Sequence, residues 1–255
     1  MLLVLISLAV VRPLPQARAE ALPLVGGAVI SCPRPERLLP AAVSSRLQPP
    51  TRPAQGGEEE ASLQADYRRR LARTAAGWPR LDHWCVWVEP VHAHGPAARW
   101  EQRWLEAVQS ALGRWETLLP IRRVSDPETA QVLIRRQRPP LRSDRHGRPR
   151  ASHGRATLRA MEVKRNGIWW LEPHVTLLIS PGQRASAIQA TALHELGHAF
   201  GLWGHSEDPA DAMAMVPTAN PVLELSSRDR STLRWLYGQP TPFGKPLEHQ
   251  PAVDP

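Results

Sequence analysis

Three imidazoles, one carboxylate and two glycines able to make turns fall within the twelve residues His194-Glu195-Leu196-Gly197-His198-Ala199-Phe200-Gly201-Leu202-Trp203-Gly204-His205. A helix over His194 to His198 sets two imidazoles one turn apart on one face, where both can hold the same metal ion, with Glu195 beside them as a proton acceptor. The His-Glu-x-x-His spacing alone is a weak signal, because it also arises by chance. Its continuation strengthens it. Gly201 can take the left-handed conformation that ends a helix, which reverses the chain and returns His205 toward the ion. Three protein ligands leave a fourth position to water, the arrangement of a catalytic rather than a structural zinc site. Glu207 or Asp208 are the alternative third ligands. Imidazole suits zinc better, and Ser206-Glu207-Asp208 reads as ordinary loop chemistry.

The segment resembles the extended zinc signature of the metzincin endopeptidases, and Ser206 directly after the third histidine resembles the matrixin branch. The family pattern H-E-x-x-H-x-x-G-x-x-H has two residues between glycine and the last histidine, whereas Leu202, Trp203 and Gly204 make three here. The extra residue falls after the helix has ended. It therefore need not rotate the two helical ligands, and Gly204 is expected to absorb it in a wider turn. The resemblance also implies a tight turn that places a methionine under the metal. Asp208-Pro209-Ala210-Asp211-Ala212-Met213 has the matrixin offset from His205, while Met215-Val216-Pro217 fits the family's Met-x-Pro. Met213 is the expected residue and Met215 the alternative, with Val216 and Pro217 forming the wall of the substrate pocket. Without the histidines, either methionine would read as a gap-filler in an apolar core.

What the resemblance implies is a zinc endopeptidase. The His194, His198 and His205 ligands hold one zinc ion, Glu195 is the catalytic base, and the substrate is a peptide or protein. A second reading keeps the scaffold without hydrolysis and uses an arginine-rich loop on anionic envelope polymers, but the intact Glu195 argues against it. That loop, 136–155, often binds structural zinc and calcium in matrixins. The His-x-Asp and glycine-aspartate patterns are absent here, so calcium has no motif to support it and a single ion is expected. No specific nucleic-acid partner is indicated, and a monomer is expected.

The 255 residues are 42% hydrophobic, enough for a packed core, with a formal net charge of +8. The apolar run from Leu2 to Val11 is short for a bilayer span, and Ala17-Arg18-Ala19 has the small-x-small pattern that precedes signal-peptide cleavage. Residues 1–19 thus read as a signal peptide, which predicts export to the cell envelope or beyond, with no membrane span left after cleavage. Cleavage would remove Arg12 and Arg18 and leave a basic chain. Cys32 and Cys85 survive it and can pair in an oxidising compartment. Residues 20–76, rich in proline, alanine and arginine, read as linker or pro-segment. Ser31-Cys32-Pro33-Arg34-Pro35 does not reproduce the Pro-Arg-Cys-Gly latency motif of matrixins.

The elements that must position the site occupy 77–238. His83-Trp84-Cys85-Val86-Trp87-Val88 predicts a first strand. Trp100, Trp104, Val108, Ala111, Leu112, Trp115 and Leu119 recur at helical spacing, a stripe expected to be core. Ile121 to Val124 and Gln131 to Arg135 follow as strands. Arg155 to Val163 and Ile168 to Ile179 are β-rich runs on either side of Asn166-Gly167, a hairpin signal. Ile188, Leu193 and Leu196 anchor the active-site helix, capped by Ser186 or a neighbour. Leu225 to Tyr237 predicts a closing helix with a capping box, similar to that of matrixins, and 239–255 reads as a flexible tail. The expected fold is α/β: a twisted, mixed five-stranded sheet, an active-site helix and a C-terminal helix. The resemblance places its antiparallel edge strand at the cleft, where unpaired backbone groups can take an extended peptide.

Overall fold

A computed structural model describes residues 30–50, 65–143, 149–150, 152–216 and 219–248. Four parallel strands form one side of the sheet, out to its edge: β2 (Trp84–Val88), β3 (Ile121–Val124), β4 (Val132–Arg135) and β8 (Ile168–Ile179). Their order is β3-β2-β4-β8, and β7 (Gly154–Arg165) lies antiparallel on the far side of β8. These are the five strands expected. Trp84, Cys85, Val86, Val132 and Ile134 are buried, as strands covered on both faces require. Asn166 and Gly167 join β7 to β8 with φ of 50° and 77°, the paired left-handed residues of a tight hairpin turn.

Two further strands enlarge the sheet to seven. β1 (Arg37–Pro40) pairs with Met161 to Lys164 at the outer edge of β7, and β9 (Lys245–Pro246) pairs with Trp170 and Leu171 of β8. The short β5 (Arg142–Ser143) and β6 (Pro149–Arg150) make a separate ribbon. Both flanking segments therefore differ from the expected linker and tail where they are described. Tyr67 and Leu71 reach the main core, Cys32 is disulfide-bonded to Cys85, and Phe243 buries against Ala160 and Leu171. Single apolar side chains hold these stretches down, with no periodic run to announce them. The disulfide also leaves Cys32 no free thiolate to plug a metal site.

Helix α1 (Ala98–Glu116) packs on α2 (Ala185–Ala199), and α3 (Ser227–Tyr237) closes the fold. Trp104 and Trp115 are fully buried, and their indole N–H groups donate to the carbonyls of Ile179 and Leu193 at 3.1 Å. The expected tryptophan core fails at Trp100, which is 63% exposed and lies under the Arg103 guanidinium at 4.3 Å. No helix among the described residues is long and apolar enough to cross a membrane, and 1–19 lie outside them.

Candidate active site

Helix α2 carries the first two histidines at its C-terminal end, held in place by Ile188, Leu193 and Leu196 in the core. Its N-cap is Arg184, in extended conformation and without a side-chain cap, so the expected capping by Ser186 or a neighbour does not occur. The helix stops as the sequence suggests. Gly201, at φ 104°, donates to the His198 carbonyl at 3.0 Å, and Leu202 donates to the Gly197 carbonyl at 2.9 Å. That pair of bonds is a Schellman ending, which turns the chain back toward α2.

His194, His198 and His205 converge, with candidate ligand atoms within 4.8 Å of one another and ring centroids 4.9, 5.0 and 5.2 Å apart. Nδ1 of His194 lies 2.9 Å from the Ala212 carbonyl, and Nδ1 of His198 lies 2.8 Å from that of Leu202. With Nδ1 donating, Nε2 of each ring is left for a metal, the usual way a second partner fixes a ligating imidazole. Burial keeps these rings neutral: it brings His194 down to about 4, His198 well below its ordinary value, and His205 lower too. Neutral imidazoles at this spacing suit zinc. Glu207 is engaged elsewhere, paired with Arg70 and Arg228 at 2.8 Å, and an Asp208 carboxylate oxygen accepts from the Ala210 N–H.

The extra residue before His205 is accommodated differently from the expected wide turn. Gly204 has no left-handed backbone. It is small because a Cβ there would stand 2.2 Å from the Arg70 carbonyl oxygen. The N-terminal segment runs against this loop, and Ala72 N–H donates to the Trp203 carbonyl at 2.7 Å. The Trp203 ring, brought in by the same loop, stacks on His198 at 5.4 Å.

Beyond His205, Ser206 pairs with Ala214: its N–H donates to the Met213 carbonyl, and its carbonyl accepts from Met215. Met213 is fully buried beneath α2, its Sδ 2.2 Å from where a Gly197 Cβ would lie. Met215 is 63% exposed and, with Val216, lines a cavity of about 460 Å³. Pro217 lies outside the described residues.

Sequence reasoning missed the carboxylates behind this turn. Asp229 does close the capping box with Ser226, but it also accepts from Ala212 N–H at 2.8 Å and from the Tyr67 hydroxyl at 2.8 Å. Asp211 takes bonds from the Ser206 and Ser226 hydroxyls and from Arg228. Aspartate three residues into a helix reads as a cap, and nothing in its spacing shows a second role.

Glu195 is buried at the mouth of the cavity beside the first strand residues of β7. A Cβ on Gly154 would meet its carboxylate at 2.5 Å, and the Ala156 backbone contributes a hydrogen bond. Burial outweighs that bond and raises the carboxyl to about 7.

A mixed sheet, two stacked helices and a histidine tripod at the end of one of them define a zinc-dependent hydrolase scaffold of the metzincin kind. The sequence profile of the matrixin family matches residues 94–238. The chain belongs to the matrixin family of zinc metalloendopeptidases. No curated protein matches it.

Proposed function

We propose that this chain cuts internal bonds of a peptide laid along β7, with Glu195 as the proton carrier. The observation that carries the reading is the position of Glu195, buried between the histidine tripod and the Gly154 to Ala156 backbone. β1 pairs with β7 only from Met161 onward, and the Ala160 carbonyl takes Ala41 N–H. Among the described residues the Gly154 to Arg159 edge has no strand partner on that side. An extended peptide can join it as an added strand, with main-chain bonds that are tolerant of side chains.

His194, His198 and His205 would hold zinc, which supplies Lewis acidity toward water and toward the scissile carbonyl. Glu195, with a carboxyl near neutrality, takes the proton of the attacking water and gives it to the leaving amine. The narrow gap under Gly154 fixes the carboxylate for that transfer. Export of the protein is supported by the 1–19 pattern and by the Cys32–Cys85 bond, which favours an oxidising compartment.

Metal analysis of the purified chain, with cleavage of a peptide library before and after chelation, tests the reading. One zinc per chain and chelator-sensitive cleavage are expected. The Glu195→Ala variant should keep its zinc and lose turnover by about a thousandfold, the middle of the range for removal of a general base. Full turnover by that variant would reject the assigned base.

A further inference from the structure

The cavity beside Glu195 does not end in apolar groups. It opens at His194 and Glu195 and follows α2 back to the residues that precede its first turn. At about 1.5 Å per residue, His194 and Ala185 stand roughly 13 Å apart along the helix. Ala187, Ala190, Val216 and Val222 give the walls. Nε2 of Gln183, just before α2, and Oγ of Ser152, just before β7, both line the cavity, are shielded from solvent and lack a hydrogen-bond partner. Arg184 lines the cavity too. Among the described residues its guanidinium bonds only the Ala219 carbonyl, at 3.4 Å, and makes no ion pair.

Gln183 and Ser152 are thus shielded polar groups without a partner, and Arg184 beside them is an exposed guanidinium with one long bond to a carbonyl. Among the described residues, the one carboxylate lining the cavity apart from Glu195 is Asp211, and it is already held by Ser206, Ser226 and Arg228. Arg155, which lowers the Glu195 carboxyl electrostatically, adds positive potential at the mouth. Buried polar groups with no partner, here Gln183 and Ser152, are costly, and a carboxylate can satisfy both while pairing with the exposed Arg184 guanidinium. Strand direction says which part of a substrate arrives there. A peptide antiparallel to β7 sends its C-terminal half toward the residues before Gly154, and Ser152 is one of them.

We propose that Arg184, Gln183 and Ser152 form an anion-reading end of the cleft, which selects substrates carrying an acidic side chain among the first three residues on the leaving-amine side of the scissile bond. This rests on the peptidase reading above. The range of three follows from reach: an extended chain rises about 3.3 Å per residue, so residues one to three lie within side-chain distance of that end.

The test uses the zinc-loaded full chain and peptides with Glu or Gln at each of those three positions in turn. Glu should raise kcat/KM over Gln by about tenfold at one position at least, and the advantage should shrink with added salt, as screening of a charge pair requires. Arg184→Gln should bring the Glu to Gln ratio close to one. Arg184→Glu should turn the preference toward Lys peptides. Equal cleavage of Glu and Gln peptides at all three positions would overturn the proposal, as would a Glu advantage that survives both substitutions. Failure to cut any peptide would instead strike the peptidase reading. In that case, binding of the same peptides to the Glu195→Gln protein, read by fluorescence anisotropy, decides the anion preference by the same ratios.

Discussion

Two glycines carry steric duties that motif spacing does not state. Gly197 occupies a free position of the His-Glu-x-x-His pattern, yet an added methyl would run into the Met213 sulfur and the Trp115 ring at 3.2 Å. Both neighbours are fully buried, so relief must come from distortion of a dense core. Gly197→Ala should therefore lower stability by about 1–3 kcal/mol, measured by urea denaturation of the metal-free protein. Gly154→Ala acts on chemistry instead. It should push Glu195 aside, so zinc content is expected to hold while kcat falls at least tenfold, a modest share of what a positioned base contributes. Retained kcat would show that the carboxylate does not depend on that gap. The convergence of the three histidines was legible because coordination needs particular residue types at particular spacings. Spacing favoured Met213 but left Met215 open, because each fits a family pattern, and only the fold shows that Met213 is the one buried beneath α2.

Between the second and third histidines, the loop is shaped by a segment from far away in sequence. Arg70 and Leu71 pass against Gly204, Ala72 bonds to Trp203, and the Tyr67 hydroxyl reaches the Asp229 carboxylate that also holds the Met213 turn. Tyr67→Phe removes one donor from a buried carboxylate and should cost about 1–3 kcal/mol, read from the denaturation midpoint. Gly204→Ala should displace the loop and weaken zinc binding by roughly 10–100-fold in competition with a chromophoric chelator, the scale seen when a ligand loses its support. Unchanged affinity would mean that His205 is positioned independently of residues 67–72. At this scale the sequence was most readable where the pattern is long. The β7–β8 hairpin, α1 and α3 follow from periodicity and from Asn166-Gly167. β1 and β9 are too short to show a period, and Trp100 continues the stripe of α1 without being covered.

Across the whole molecule, two buried sets of groups make stability depend on pH. Burial works to raise the Glu172 carboxyl, but His174 and Arg165 outweigh it and bring it down to about 2. The unfolded chain takes up that proton near 4.5, so the folded state loses ground as pH falls from about 4.5 to 2. Glu172→Gln should flatten the decline over that window in acid titrations followed by circular dichroism. The depressed histidines act in the same direction higher up. In the metal-free protein, stability should fall as pH drops from about 6.5 through 4, because unfolded imidazoles bind protons that folded His194 does not. Zinc and acid therefore compete for the same nitrogens, and loss of metal should accompany that fall.

The sulfur bridge joins Cys32 to Cys85 across 53 positions of chain, and β1 lies on the same side of that span as Cys32. A protease that nicks the backbone anywhere between residues 50 and 65 would thus yield two pieces that still migrate together, parting on a denaturing gel only after a thiol is added. Shedding the N-terminal portion of this enzyme would be a redox event as much as a proteolytic one.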